Sequence, residues 1–161
     1  MVRVKNICKC IRDLCGTSMY EFRDYEIEFI NKARVMRFAS VSKDNYPHVV
    51  PLCHVYYNGC IYAVTDYGTK KLENIKNNNR VAVIIDEYGE PWGKNKGIMI
   101  QGRAEILERG EEFRKVAELL TEKFPYYRRE PYGPIIEGDA PIIKIIPEKA
   151  VSWGLKPRRR R

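Results

Sequence analysis

The chain is most informative first in what it lacks. None of its 161 residues falls in a stretch approaching the ~20 consecutive apolar residues that a membrane span needs, so a helical membrane protein is excluded. The opening residues, Met1-Val-Arg-Val-Lys-Asn6, lead into no unbroken apolar core and no small-residue cleavage site, so no export signal is visible and a cytoplasmic address is the expectation. Cysteines number 5, an odd count that argues against a disulfide framework and for reduced thiols. Three of them, Cys8, Cys10 and Cys15, form C-x-C-x4-C, which fits neither the usual zinc pairs nor the common iron-sulfur runs. No metal site is expected; buried thiols on a short helix are the plainer reading. Histidines number only 2, His48 and His54, and along one strand they would stand roughly 20 Å apart, too far to share an ion. No Walker or dinucleotide glycine fingerprint occurs, and no serine-histidine-acid or cysteine-histidine set can be assembled.

What is present is a composition suited to one core, 44% hydrophobic and 31% charged. The net charge of +8 is half tail, because Arg158 to Arg161 supply four of those charges. An arginine run alone gives little specificity, and the body has no aromatic-interleaved basic face, so nucleic acid is not expected as a partner.

Periodicity then orders the chain. Val4, Ile7, Ile11 and Leu14 share one helical face, and a second helix follows from Asp24 with Ile27, Ile30 and Ala33 inward. After Lys32 the residues turn β-branched and aromatic. Val35 to Val41 and Pro47 to Tyr57 read as a hairpin, and Asn58-Gly59, the strongest short turn signal, leads to Cys60 to Thr65. Gly68 to Asn78 suits a short surface helix, Arg80 to Ile85 a buried strand and Ile98 to Leu107 a half-exposed one. Gly110 to Phe124 is an amphipathic helix through Phe113, Val116, Ala117 and Leu120, and Pro141 to Ile146 is a last strand before Pro147. The expected class is mainly β (α+β): a six-stranded antiparallel barrel with flanking helices. Pro51 should mark a sheet edge or bulge, because proline cannot donate to a ladder.

The richest polar cluster is Thr65-Asp-Tyr-Gly-Thr-Lys-Lys71, where hydroxyls, a glycine and two cations meet at a strand-to-helix junction. Such a turn can cradle a phosphate, since first-turn N–H groups and ammonium groups converge there. Equally, Lys70 and Lys71 could simply coat a solvated helix. Trp92 and Trp153 can pack in a core or interface, or stack on a planar heterocycle; packing is the plainer reading.

Three runs carry a resemblance. Pro47-His-Val-Val-Pro-Leu-Cys53, then Tyr62-Ala-Val-Thr-Asp-Tyr-Gly-Thr-Lys-Lys71 with Asn74 and Asn77-Asn-Asn-Arg-Val-Ala-Val83, and finally Ile98 to Leu107 with Ile146-Pro-Glu-Lys-Ala-Val-Ser-Trp153, resemble the FMN-binding split-barrel family typified by pyridoxamine 5'-phosphate oxidase. The likeness covers about residues 25 to 155. It implies three segments: a helical extension over 1–22, a split-barrel domain over 23–155 and a basic tail over 156–161. It also implies a homodimer holding two FMN molecules in clefts between subunits, and an oxidoreductase acting on a small molecule. By the resemblance, Thr65, Lys70 and Lys71 would contact the phosphate, with His48 where the oxidases have an arginine. Val49, Val50, Pro51 and Leu52 would line the isoalloxazine ring, while Trp153 and Gln101 would border the cofactor from the neighbouring chain. Cys53 replaces a lysine that contacts the oxidases' substrate, so the vitamin oxidation itself does not carry over. A non-catalytic flavin, deazaflavin or haem carrier is the alternative.

Overall fold

Asn58 and Gly59 both take positive φ, +46° and +83°, which is what a two-residue turn between right-twisted strands requires. This turn joins β3 (Val55–Tyr57) to β4 (Cys60–Val64). The computed structural model describes residues 19–155, so the helix expected at 4–14, with its three thiols, and the arginine tail lie outside the described residues. The remaining elements are α1 (Asp24–Lys32), β1 (Val35–Val41), β2 (Pro47–Cys53), α2 (Lys70–Asn77), β5 (Arg80–Glu87), β6 (Lys96–Leu107), α3 (Glu111–Lys123) and β7 (Ile142–Trp153).

The strands form one antiparallel sheet in the order β2-β1-β5-β6-β7-β4-β3. Its two outermost strands, β2 and β3, are consecutive in the chain and separated by His54 alone. A sheet whose opposite edges are one residue apart must curl round, and the result is a split barrel. The count is therefore seven strands rather than six. Residues 47–57 read as one strand because nothing in their composition interrupts it; the chain breaks at His54, where it leaves β1 to join β4. Pro51 does lie on an edge strand, but it keeps register with Arg37 and no bulge forms there.

Alternation fills the barrel. Met36, Phe38, Ile61, Ala63, Val81, Val83, Ile85, Ile98, Ile100 and Ile143 point inward, and Phe29 and Ile30 of α1 and Leu72 and Ile75 of α2 complete this core. A second cluster lies outside the barrel, where Phe113, Val116, Ala117 and Leu120 of α3 cover Val55, Cys60 and Tyr62. Each valine, leucine, isoleucine, methionine or phenylalanine among them contributes about 1.5–3 kcal/mol by leaving water.

The last strand runs past Pro147 to Trp153, well beyond the expected end at Ile146. Pro147 faces Gly102, Lys149 faces Gln101, and Glu148 is the extra residue of a bulge, so the missing proline N–H is no defect. Gly102 is required there because a Cβ would strike the Ile146 carbonyl oxygen. The buried Glu26 ties the ends of the domain together: its carboxylate accepts hydrogen bonds from Tyr20 Oη (3.2 Å), the Arg23 N–H (2.9 Å) and Ser152 Oγ (2.7 Å). No helix among the described residues is long and apolar enough to cross a membrane.

Candidate functional site

Thr65 directly follows β4, buried, with its N–H bonded to the Pro141 carbonyl at 3.0 Å. The chain then turns through Gly68 at φ +72°, a conformation that glycine adopts freely, and enters α2 at Lys70. Thr69 occupies the N-cap, yet its hydroxyl bonds to the Asp66 carbonyl at 3.1 Å instead of capping the helix. The hydroxyl therefore caps none of the first-turn N–H groups of α2, of which Leu72 N–H bonds back to the Thr69 carbonyl at 3.0 Å.

The two lysines that follow are not equivalent. Lys70 is exposed and its Nζ is paired with Glu73 at 3.1 Å. Lys71 is half-buried, and loss of water holds its ammonium below the usual lysine range, against an opposing pull from Asp66. One turn along the same face, Asn74 is buried and donates from Nδ2 to Ser40 Oγ at 3.0 Å, fastening α2 to β1. Ser40 is the cross-strand partner of His48, so both side chains lie on one face. His48 Nδ1 and Asn74 Oδ1 are enclosed without hydrogen-bond partners. Enclosed polar atoms of this kind are met by water or by a bound group. The structure thus joins His48 to the turn of Thr65, Lys70 and Lys71 through two residues, Ser40 and Asn74, whose part the sequence reading missed.

Along β2 the side chains alternate. Val49, 61% exposed, and Pro51 face outward, while Val50 and Leu52 pack against the barrel core. Outside, Val49, Ala39, Ala82, Gln101 and Lys149 stand opposite one another in a row across β2, β1, β5, β6 and β7. An open groove of about 640 Å³ runs over this face, taking in Gln101 and bordered by Arg80, Arg103 and Lys149. Arg103 is ion-paired with Glu148 at 2.7 Å. These cations sit on alternating, outward positions and had no motif to announce them.

Trp153 closes β7 opposite Gly97, with its indole ring lying directly on the glycine and its Nε1 enclosed without a partner. Ile142, at the other end of β7, pairs with Val64 beside Thr65. The intervening strand is roughly 35 Å long, so one chain does not bring Trp153 to the Thr65–Lys71 turn. Among the described residues no group of three or more metal-ligating side chains assembles.

The family profile described as pyridoxamine 5'-phosphate oxidase matches residues 26–154. The chain belongs to this family. Solved structures share its fold. A conserved hypothetical protein from Mycobacterium tuberculosis superimposes with a TM-score of 0.69 at 20% identity, over 84% of this chain and 86% of that one. The haem storage protein HutZ from Vibrio cholerae gives 0.66 at 17% identity, over 77% and 89%. An FAD-binding protein from Mesorhizobium loti gives 0.62 at 27% identity, over 79% and 89%. No curated protein matches the chain. The split-barrel fold is thus shared with one protein described as a haem storage protein and one described as FAD-binding.

Proposed function

We propose that the protein is a homodimeric FMN-binding oxidoreductase acting on a small molecule. The observation that carries this reading is the turn at Thr65–Lys71, where no side chain caps α2, Lys71 is half-buried on the helix, and Asn74 and Ser40 link that helix to His48, whose Nδ1 is unpartnered. A dianionic phosphate suits that donor set. The exposed edge strand β2 offers free backbone groups and the side chains of Val49 and Pro51 to a flat ring. FMN, when bound, supplies the electron transfer; the chain's own residues grip its phosphate, fix the ring along β2 and shield both from water.

Two features support the dimer. Val49, Ile84 and Val151 are exposed on the outer sheet face, an apolar surface that a second copy would cover. Trp153, a strand's length from the Thr65 turn of its own chain, would reach a cofactor held there from another chain, and Gln101 lies on the outer sheet face that such a chain would cover. An imidazole is one common axial ligand for haem, beside cysteine, methionine and tyrosine. His54 is fully buried and its Nε2 lies 2.9 Å from the Ile30 carbonyl oxygen, which leaves His48 as the one histidine beside the crevice, in the position where a phosphate would be met.

Titrating the purified protein with FMN and with riboflavin, followed by visible absorbance and fluorescence, tests the reading. FMN should bind well above riboflavin, and replacing Lys70 and Lys71 together by alanine should weaken FMN by about 30-fold or more while leaving riboflavin unchanged, since each charged hydrogen bond is worth about 1.5–3 kcal/mol. Equal affinity for the two ligands, or an unaltered double variant, refutes the phosphate site. Light scattering at twice the monomer mass of 18.9 kDa tests the dimer.

A further inference from the structure

Trp92 has no part in the Thr65 site, yet at 80% it is the most exposed large apolar side chain among the described residues. Tyr88 beside it is 60% exposed, and the two rings meet edge to face with centroids 6.1 Å apart. Both stand on the arm that joins β5 to β6, and hydrogen bonds hold that arm in shape. Its root is closed by the Glu87–Lys96 ion pair at 2.9 Å, and above it the Gly89 N–H donates to Asn95 Oδ1 at 2.9 Å. A short 3-10 turn over Trp92–Lys94 is fixed by the Lys94 N–H on the Pro91 carbonyl at 2.9 Å and the Asn95 N–H on the Trp92 carbonyl at 3.1 Å. Indole and phenol rings bury about 150–250 Å² each and are the side chains that most often anchor an interface, so a pair of them held out into water is a surface made for contact.

The position of the arm in the fold selects its partner. Ala82, Ile84 and Asp86 take the outward positions of β5, and Tyr88 is next in that series. Opposite Asp86, Gly97 carries the Trp153 ring, and Gly154 packs so closely on the arm that a Cβ there would strike the Asn95 carbonyl oxygen. Trp153 and the arm therefore form one unit at an end of the outer sheet face, the face on which Val49, Ile84 and Val151 are exposed. The crevice built by one chain is one-sided, because β2 and the Thr65–Lys71 turn supply a single wall and the outer edge of β2 is unpaired.

We propose that the Tyr88–Trp92 arm docks on a second copy of this chain beside Trp153 and closes the open side of that copy's β2 crevice. The inference rests on the flavin site and dimer proposed above. In an isologous pair the exchange is mutual: each subunit gives one arm and receives one, and the two rings exclude water from the crevice they cover.

Sedimentation of the full chain over a range of concentrations, with and without FMN, compares the parent with Tyr88→Ser/Trp92→Ser and with Ile136→Ser, an exposed apolar control beside α3. Both arm rings lie mostly in water, so the double variant keeps its fold, which circular dichroism checks. Its dimer dissociation constant should rise about tenfold or more, while the control matches the parent. In Trp153→Phe, which leaves Trp92 as the single tryptophan, acrylamide quenching should fall severalfold on dimerisation and return on dilution. A parent that dimerises no better than the double variant, or a Trp92 equally open to acrylamide in dimer and monomer, overturns the proposal and leaves the flavin site and the dimer standing. A parent that stays monomeric with FMN bound overturns the proposal together with the dimer, and the comparison of FMN with riboflavin then judges the phosphate site separately. Binding of the parent, but not of the double variant, to phosphatidylglycerol vesicles with equal dimer constants would assign the arm to a lipid surface and likewise overturn the proposal.

Discussion

His54 should make the fold sensitive to mild acid. Its ring is fully buried, with Nε2–H donating to the Ile30 carbonyl at 2.9 Å and Nδ1 enclosed without a partner, so protonation would place a second charge beside Lys123 with nothing to accept its proton. Burial first, and then the Lys123 charge, lower its pKa from 6.5 in the unfolded chain to about 4 in the fold. Between those values the unfolded state binds a proton that the folded state refuses, so stability present above pH 6.5 is lost as the pH falls toward 4. At pH 5 the unfolded chain gains about 2 kcal/mol from this one proton and the folded chain about 0.1. His54→Gln keeps an amide N–H for Ile30 but cannot titrate. Urea unfolding at pH 7.5 and pH 5 should therefore show the parent losing about 2 kcal/mol more than the variant, at matched m-values. The difference of differences cancels the packing cost of the substitution. Losses equal to within about 0.5 kcal/mol would show that the ring is already charged, or reached by water, in the fold.

Glu26→Ala leaves three donors, from Tyr20, Arg23 and Ser152, without their shared acceptor, and urea unfolding should record a loss of about 2–4 kcal/mol. Gly97→Ala drives a Cβ into the Trp153 ring; a loss of about 1–3 kcal/mol and a red-shifted Trp153 emission, measured in a Trp92→Phe background, are expected. Lys123→Met removes a desolvated, unpaired ammonium and should stabilise the fold by about 1–2 kcal/mol at pH 7 after allowance for partial exposure. That advantage should shrink as pH rises from about 8 to 10.5, because there the unfolded parent binds the lysine proton more than the folded parent does and the parent itself grows more stable.

Local chemistry made much of the fold legible. Asn58-Gly59 fixes the β3–β4 turn, and alternation fixes which side of β1, β5 and, from Ile98 to Ala104, β6 meets the core. Where the reading stopped short, the cause lies in pairing across the sheet. A proline inside a strand ordinarily ends it, and only the partner residue Gly102, with no Cβ to block the Ile146 carbonyl, lets β7 continue through Pro147 to Trp153. Likewise the break at His54 is set by the barrel's need to change partners there, from β1 to β4, and nothing in a run of valine, leucine and tyrosine marks that residue.

Candidate site residues divide along the same line. The turn at 65–71 is local and was readable from its glycine and cations, and Glu73, three residues beyond Lys70, explains why Lys71 is the freer of the two lysines. Residues 48–52 are different, since successive side chains on a strand point to opposite faces: His48, Val50 and Leu52 go inward while Val49 and Pro51 go outward. No single ligand can meet all five through side chains. What the five share is backbone at the edge of the sheet, and that edge is open because the chain leaves β1 at His54. The buried imidazole that donates to the Ile30 carbonyl sits at this departure, so the residue whose titration the urea test follows is also the one at which the open edge begins.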